Sequence, residues 1–236
     1  MFFHIGLENS LDGRSIAWAM EHPGCFAYGP DSDTALQNLP AAIREYAAWI
    51  ARHTPSPWLT VDEISLHVEE TFEAYLINEK EYERVTEDGY EVESFFLHDW
   101  KPLTEEDVRR ALLLFEWNRA DLMETVRGLT QEQLDRRYPN ERWSIAGILG
   151  HVGGADWWYL DRLELAFPRE EVPKEPFERL TKVRAHLLRT LPTLIGSKQV
   201  VGKVGEFWSP RKLLRRGVWH ERDHIQHIQK ILALPQ

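Results

Sequence analysis

Residues 141–163, ERWSIAGILGHVGGADWWYLDRL, and residues 220–232, HERDHIQHIQKIL, decide how the second half of the chain folds. In the first stretch Ser144 is a candidate N-cap, and Ile148, His151, Trp158 and Leu163 follow it at helical spacing. The second continues an apolar stripe that starts at Leu213, Leu214 and Val218 and runs on through Ile225, Ile228 and Ile231. Ser209-Pro210 opens that helix, because proline at the first helical position loses no useful amide. Upstream, Thr104 with Asp107 forms a capping-box pattern, and Val108, Leu112, Phe115, Leu122 and Val126 make a stripe that ends at Gly128. Residues 177–195 supply another helix, with Leu180, Val183, Leu187, Leu188 and Leu191 inward. Four such helices predict an all-α four-helix bundle over residues 101–236.

The first hundred residues have a different texture. MFFHIGLE, a turn through Asp12 and Gly13, then SIAWAM and PGCFAYG read as strands, followed by a helix from about Asp33 to Arg52. Asp33 is placed to cap that helix, and Pro40 predicts a kink or an interrupted start. Ile64, Leu66 and Val68 alternate with polar residues, which suits a further strand continuing through TFEAYLI. The acidic stretch NEKEYERVTEDGYEVE lacks a core pattern. These features predict an α+β domain over residues 1–100, a small β-sheet with one main helix, joined to the bundle near Asp99 to Leu103.

Composition narrows the function. The net charge is -10 and uneven: residues 1–103 hold 6 Lys+Arg against 19 Asp+Glu, and residues 104–236 hold 22 against 19. A chain this acidic is not built to coat nucleic acid or an anionic membrane, both of which favour a basic face. Its one cysteine, Cys25, excludes an internal disulfide framework and a cysteine-rich zinc site. With no signal-peptide pattern and no apolar run of membrane-spanning length, a cytoplasmic protein is expected.

Histidines carry the chemistry. His220 and His224 lie four apart on one helix, so both side chains reach one face and can clamp a cation. His151 would complete the set from another helix, and its helical neighbours Gly147, Gly154 and Ala155 leave space beside the imidazole. A glycine inside a helix costs roughly 1 kcal/mol relative to alanine. The run GILGHVGGA therefore needs close helix packing or a bound group to justify it. His227 lies on the same stripe as His224 and is open to three readings: a ligand, a hydrogen-bond partner of a ligand, or a solvent-facing residue. Asp223 and Glu221 sit beside the clamp as candidates to orient an imidazole N–H or carry a proton, with solvated charge as the simpler reading. Arg211, Lys212, Arg215 and Arg216 cluster in the opening turns of the last helix, where Arg211 and Arg215 are candidates to meet the carboxylates of an anionic cosubstrate.

Two resemblances follow from these motifs. Residues 12–50, with an extended pair, a Pro-Gly-Cys turn and the helical pattern ALxNLxxAIxxY, resemble the HicB-like fold, which implies a binding module. The WSxxxxLxH run ending at His151, followed downstream by the HxxxH of His220 and His224, resembles the DinB and YfiT-like superfamily of metal-binding bundles over about residues 104–234. That resemblance implies a divalent metal on the three histidines, zinc first, with nickel, manganese or iron(II) also suited to such ligands. It further implies an enzyme acting on a small-molecule substrate. The first expectation is a thiol-dependent S-transferase using a low-molecular-weight thiol; the alternatives are a metal-dependent hydrolase and a non-catalytic metal-binding bundle whose acidic domain docks a partner. A homodimer is compatible with either.

Overall fold

The computed structural model describes residues 1–234. β1 (Phe2–Leu11) and β2 (Arg14–Ala19) form an antiparallel hairpin whose turn uses Asp12 and Gly13, both with positive φ, and Gly13 adopts that backbone without strain. β3 (Phe26–Gly29) pairs antiparallel with β2. α1 (Ser32–His53) is the crossover that lets β4 (Ser65–Glu73) pair parallel with β1, giving the order β3-β2-β1-β4. Phe3, Ile5, Ile16 and Trp18 are buried on the strands and Leu39, Ile43, Tyr46 and Ile50 on α1. Asp31, two residues earlier than expected, caps α1 by accepting from the Thr34 amide at 2.7 Å, and Asp33 lies in the first turn. Pro40 does not interrupt the helix. Buried Ala35 and Leu39 before it and Ile43 and Tyr46 after it hold both halves down, which outweighs the one lost backbone hydrogen bond.

The strand expected through TFEAYLI is divided at Ala74. Beyond it β5 (Tyr75–Ile77) joins a second antiparallel sheet with β6 (Arg84–Val85) and β7 (Tyr90–Val92), in the order β6-β5-β7. The acidic stretch thus contributes two short strands that its composition does not announce.

Late in the chain, β8 (Val201–Lys203) and β9 (Glu206–Trp208) form a hairpin. This hairpin groups with the N-terminal residues: one compact unit comprises Met1–Lys101 and Lys198–Arg215. Buried Glu206 accepts hydrogen bonds from the Tyr90 hydroxyl at 3.2 Å, the Trp208 indole at 2.7 Å and the Glu93 amide. Arg215 donates to Asp99 Oδ2 at 2.7 Å and to the Ser94 carbonyl at 2.9 Å.

The other unit comprises Pro102–Ser197 and the residues from Arg216 onward. Its helices are α2 (Glu105–Thr125), the short α3 (Gln131–Asp135), α4 (Ile145–Arg162), α5 (Pro176–Thr190) and the larger part of α6 (Pro210–Leu232). Thr104 and Asp107 cap α2 reciprocally, as their spacing predicts. α5 stops five residues short of expectation and gives way to a 3-10 turn over Leu191–Leu194, where Pro192 has no amide to continue the α-helical ladder. A shared core of Leu122, Ile148, Val152, Leu180, Ile225 and Ile228 joins α2, α4, α5 and α6 as a four-helix bundle. Among the described residues no helix is long and apolar enough to cross a membrane.

Candidate metal centre

Two helices supply the three histidines. The Ser144 hydroxyl starts α4 by accepting from the Gly147 amide at 3.2 Å, which places His151 two turns in; His220 and His224 follow each other one turn apart on α6. Their ligating nitrogens all lie within 4.8 Å of one another, and His220 Nε2 is 3.0 Å from His151 Nε2. Ring centroids are 4.5 Å apart for His220 and His224, 4.8 Å for His151 and His220, and 5.0 Å for His151 and His224.

Burial keeps all three rings neutral. Withdrawal from water lowers the pKa of each, helped at His151 by the charge of Arg142 and at His220 by the other two histidines and Arg216. His224 falls to about 3, through burial first and then His151 and His227. Neutral imidazole is the form that binds a cation.

His224 Nδ1 is buried and has no hydrogen-bond partner among the described residues. Such an orphaned atom is unusual in a folded protein and marks a missing partner. Nitrogens bound tetrahedrally to zinc at about 2.0–2.1 Å stand roughly 3.4 Å apart, and the spacings here bracket that value. The donor set and its geometry fit a divalent metal with coordination positions left over.

Three consecutive residues before α4 frame the cluster. The Trp143 ring stacks on His151 at 4.5 Å with 26° between planes, and the Arg142 guanidinium lies 4.6 Å over Trp143. Glu141 Oε2 is 2.7 Å from His227 Nε2. Gly147 makes room here, because a Cβ there would come within 3.0 Å of Trp143 Cβ. His227 thus pairs with a carboxylate beside the cluster, its ring centroid 5.9 Å from that of His224. Asp223 is half-buried on the same helix.

Sequence reasoning missed the charges that hold these helices together. Glu221 is fully buried rather than solvated: Arg119 Nε donates to its Oε1 and Arg184 Nη2 to its Oε2, both at 2.7 Å. Arg184 also donates through Nε to Asp156 at 2.9 Å and through Nη1 to the Phe115 carbonyl at 2.7 Å. Two guanidiniums and two carboxylates, one from each of α2, α4, α5 and α6, make a neutral quartet. Burial raises the pKa of Asp156 against the pull of Arg184, and at Glu221 the two guanidiniums overcome burial and lower it. Asp156 sits five residues beyond His151, and Glu221 is next to His220. The quartet therefore fixes α4 against α6 where the ligands stand. Arg211 and Arg215 group with the first unit, where Arg215 pairs with Asp99 and Arg211 donates to the Lys101 carbonyl at 2.9 Å.

Residues 114–228 match the family model of the DinB superfamily. The solved structures similar to this chain include TT2238, described as a four-helix bundle protein, at 21% identity and a TM-score of 0.42 over 52% of this chain and 98% of that one. Another is YfiT from Bacillus subtilis, described as a probable metal-dependent hydrolase with an unusual four-helix bundle topology. It is 19% identical with a TM-score of 0.44, over 56% of this chain and 89% of that one. No curated protein matches the sequence.

Proposed function

We propose that this protein, whose residues 114–228 match the family model of the DinB superfamily, is a metal-dependent enzyme. In this reading it holds one divalent cation on His151, His220 and His224 and directs a nucleophile at a small electrophilic substrate. The observation that carries the reading is the convergence of three neutral imidazoles from two helices, one with an orphaned buried nitrogen. A divalent cation, when bound there, supplies Lewis acidity and lowers the pKa of a water or thiol nucleophile toward neutrality.

The chain's own residues set the rest. Trp143 limits rotation of the His151 ring by stacking on it, and the quartet of Arg119, Asp156, Arg184 and Glu221 holds the two ligand helices in register. His227 Nε2 pairs with Glu141 Oε2 beside His224, which fixes the orientation of that ring. We assign the nucleophile to a low-molecular-weight thiol, as in an S-transferase, with hydrolysis as the alternative.

The test has two parts. Elemental analysis after dialysis should find about one divalent metal per chain in the wild type and none in the His151→Ala, His220→Ala and His224→Ala variants. Full occupancy in the triple variant would sink the proposal. Turnover of a chromogenic electrophile with and without added thiol then separates transferase, hydrolase and non-catalytic binder.

A further inference from the structure

A cavity lies along α4, lined by none of the three clustered histidines. Its volume is ≈ 260 Å³, at the small end for a small-ligand site, and Gly154, Trp157, Trp158, Arg169, Val172 and Arg179 line it. Arg179 is fixed along one side by backbone: its Nε donates to the Pro173 carbonyl at 2.8 Å and its Nη1 to the Gly150 carbonyl at 3.0 Å. The Arg169 guanidinium lies 5.4 Å from the centroid of the Trp157 ring, whose N–H is occupied by the Phe167 carbonyl. Next to the cavity but not part of its lining, Arg162 is 8% exposed and stacks 4.3 Å over Trp158, and its Nε and Nη1 have no hydrogen-bond partner among the described residues.

Among the described residues none of these three arginines pairs with a carboxylate. The neighbouring Arg184 and Arg119 show the contrast, each being matched to an acid. A cationic site without its anion, walled by indole faces, is complementary to a flat anion, because guanidinium and carboxylate are both planar and bond in a two-pronged fashion. Gly154 adds to the case. A Cβ there would meet only Arg179 Nη1, at an ordinary 3.8 Å, so helix packing does not require this glycine even though it is unfavourable inside a helix. What it preserves is the volume of the cavity.

We propose that this cavity binds a small flat organic carboxylate, with Arg169 and Arg179 as counterions and Trp157 and Trp158 as walls. The inference goes beyond the proposed function: it adds a binding site on α4 and stands without the metal reading. Gly154 follows His151 by three residues, on the same side of α4.

Benzoate is the probe, titrated into the full-length protein and followed by tryptophan fluorescence and calorimetry. Benzamide serves as the neutral counterpart and inorganic phosphate as a non-planar anion. Saturable benzoate binding is expected, at least about tenfold tighter than either control and weakened at least about tenfold by Arg169→Gln and by Arg179→Gln. The Arg169 side chain is exposed and makes no hydrogen bond or ion pair among the described residues, so its variant stays informative even if Arg179→Gln unfolds. Equal binding of benzamide, tighter binding of phosphate, absence of saturable benzoate binding, or an Arg169→Gln variant as tight as wild type would each overturn the proposal. Metal content is measured on the same samples. Arginine variants should keep their metal, and His224→Ala should lose it yet still bind benzoate, so failure of the metal reading and failure of the carboxylate site are told apart.

Discussion

Three glycines on α4 look alike in sequence and should respond to alanine with opposite signs. A Cβ added at Gly150 would lie 3.7 Å from Arg179 Nη1 and 3.9 Å from Pro176 Cγ, and one at Gly154 would lie 3.8 Å from Arg179 Nη1. Those are ordinary contacts, so each substitution should yield most of the helix-propensity difference, about 1 kcal/mol of added stability. At Gly153 the new atom would sit 3.0 Å from both Arg179 Cγ and the Leu180 backbone nitrogen, and 3.3 Å from the Arg179 backbone carbon. Backbone cannot swing aside as a side-chain tip can, so α5 must shift. Overpacking of this kind costs about 1–3 kcal/mol; set against the roughly 1 kcal/mol propensity gain, it leaves Gly153→Ala less stable than wild type by up to about 2 kcal/mol. For a chain of this length about 1 kcal/mol moves Tm by roughly 2–4 °C. Gly150→Ala and Gly154→Ala should therefore melt about 2–4 °C higher and Gly153→Ala lower, by up to roughly 8 °C. Calorimetry, or urea unfolding with unchanged slope, measures this directly. A Gly153→Ala protein that melts at or above wild type would refute the claim that α4 and α5 meet through that residue.

Arg184→Met should cost about 3–5 kcal/mol, because it leaves Asp156 and Glu221 buried with one guanidinium between them; a loss under about 1 kcal/mol in chemical denaturation would contradict the quartet's role. Chelation should lower Tm, since a metal held at 100 times its Kd stabilises by about 2.7 kcal/mol, and the difference between chelated and metal-loaded samples should vanish in His220→Ala. Buried His98 has its pKa lowered to about 4, by burial first and the Arg211 charge second, from 6.5. Between those values the unfolded chain takes a proton that the folded one refuses, so stability is lost as pH falls from 6.5 to about 4, by about 3 kcal/mol at most. His98→Gln should show a shallower decline over that window, and an unchanged slope would count against it.

Periodicity and capping made much of the bundle legible. Thr104, Ser144 and the apolar stripes mark where helices start and which sides they bury, because those signals are local. The histidine cluster was legible for the same reason on α6, where His220 and His224 are one turn apart, while the approach of His151 depended on a longer motif. What stayed hidden depends on partners distant in the chain. Glu221 stands among His220, Arg222 and Asp223 and reads as one more solvated charge, yet its partners are Arg119 and Arg184, 102 and 37 residues away. Asp31 and Asp33 are both plausible caps, and only backbone geometry chooses. Near His151 it is the path of α5 that makes Gly153 closely packed and leaves open space at Gly154, and no local pattern reports that path.

The first unit takes Lys198–Arg215 as well as Met1–Lys101, and that has a consequence for biosynthesis. A chain emerging from the ribosome exposes Tyr90, Ser94 and Asp99 long before Glu206 and Arg215 arrive to bond with them. Closure of the amino-terminal portion must wait until residues 198–215 have been translated. A fragment cut after residue 101 would remain in that unfinished state, recoverable only by supplying the missing segment as a separate peptide.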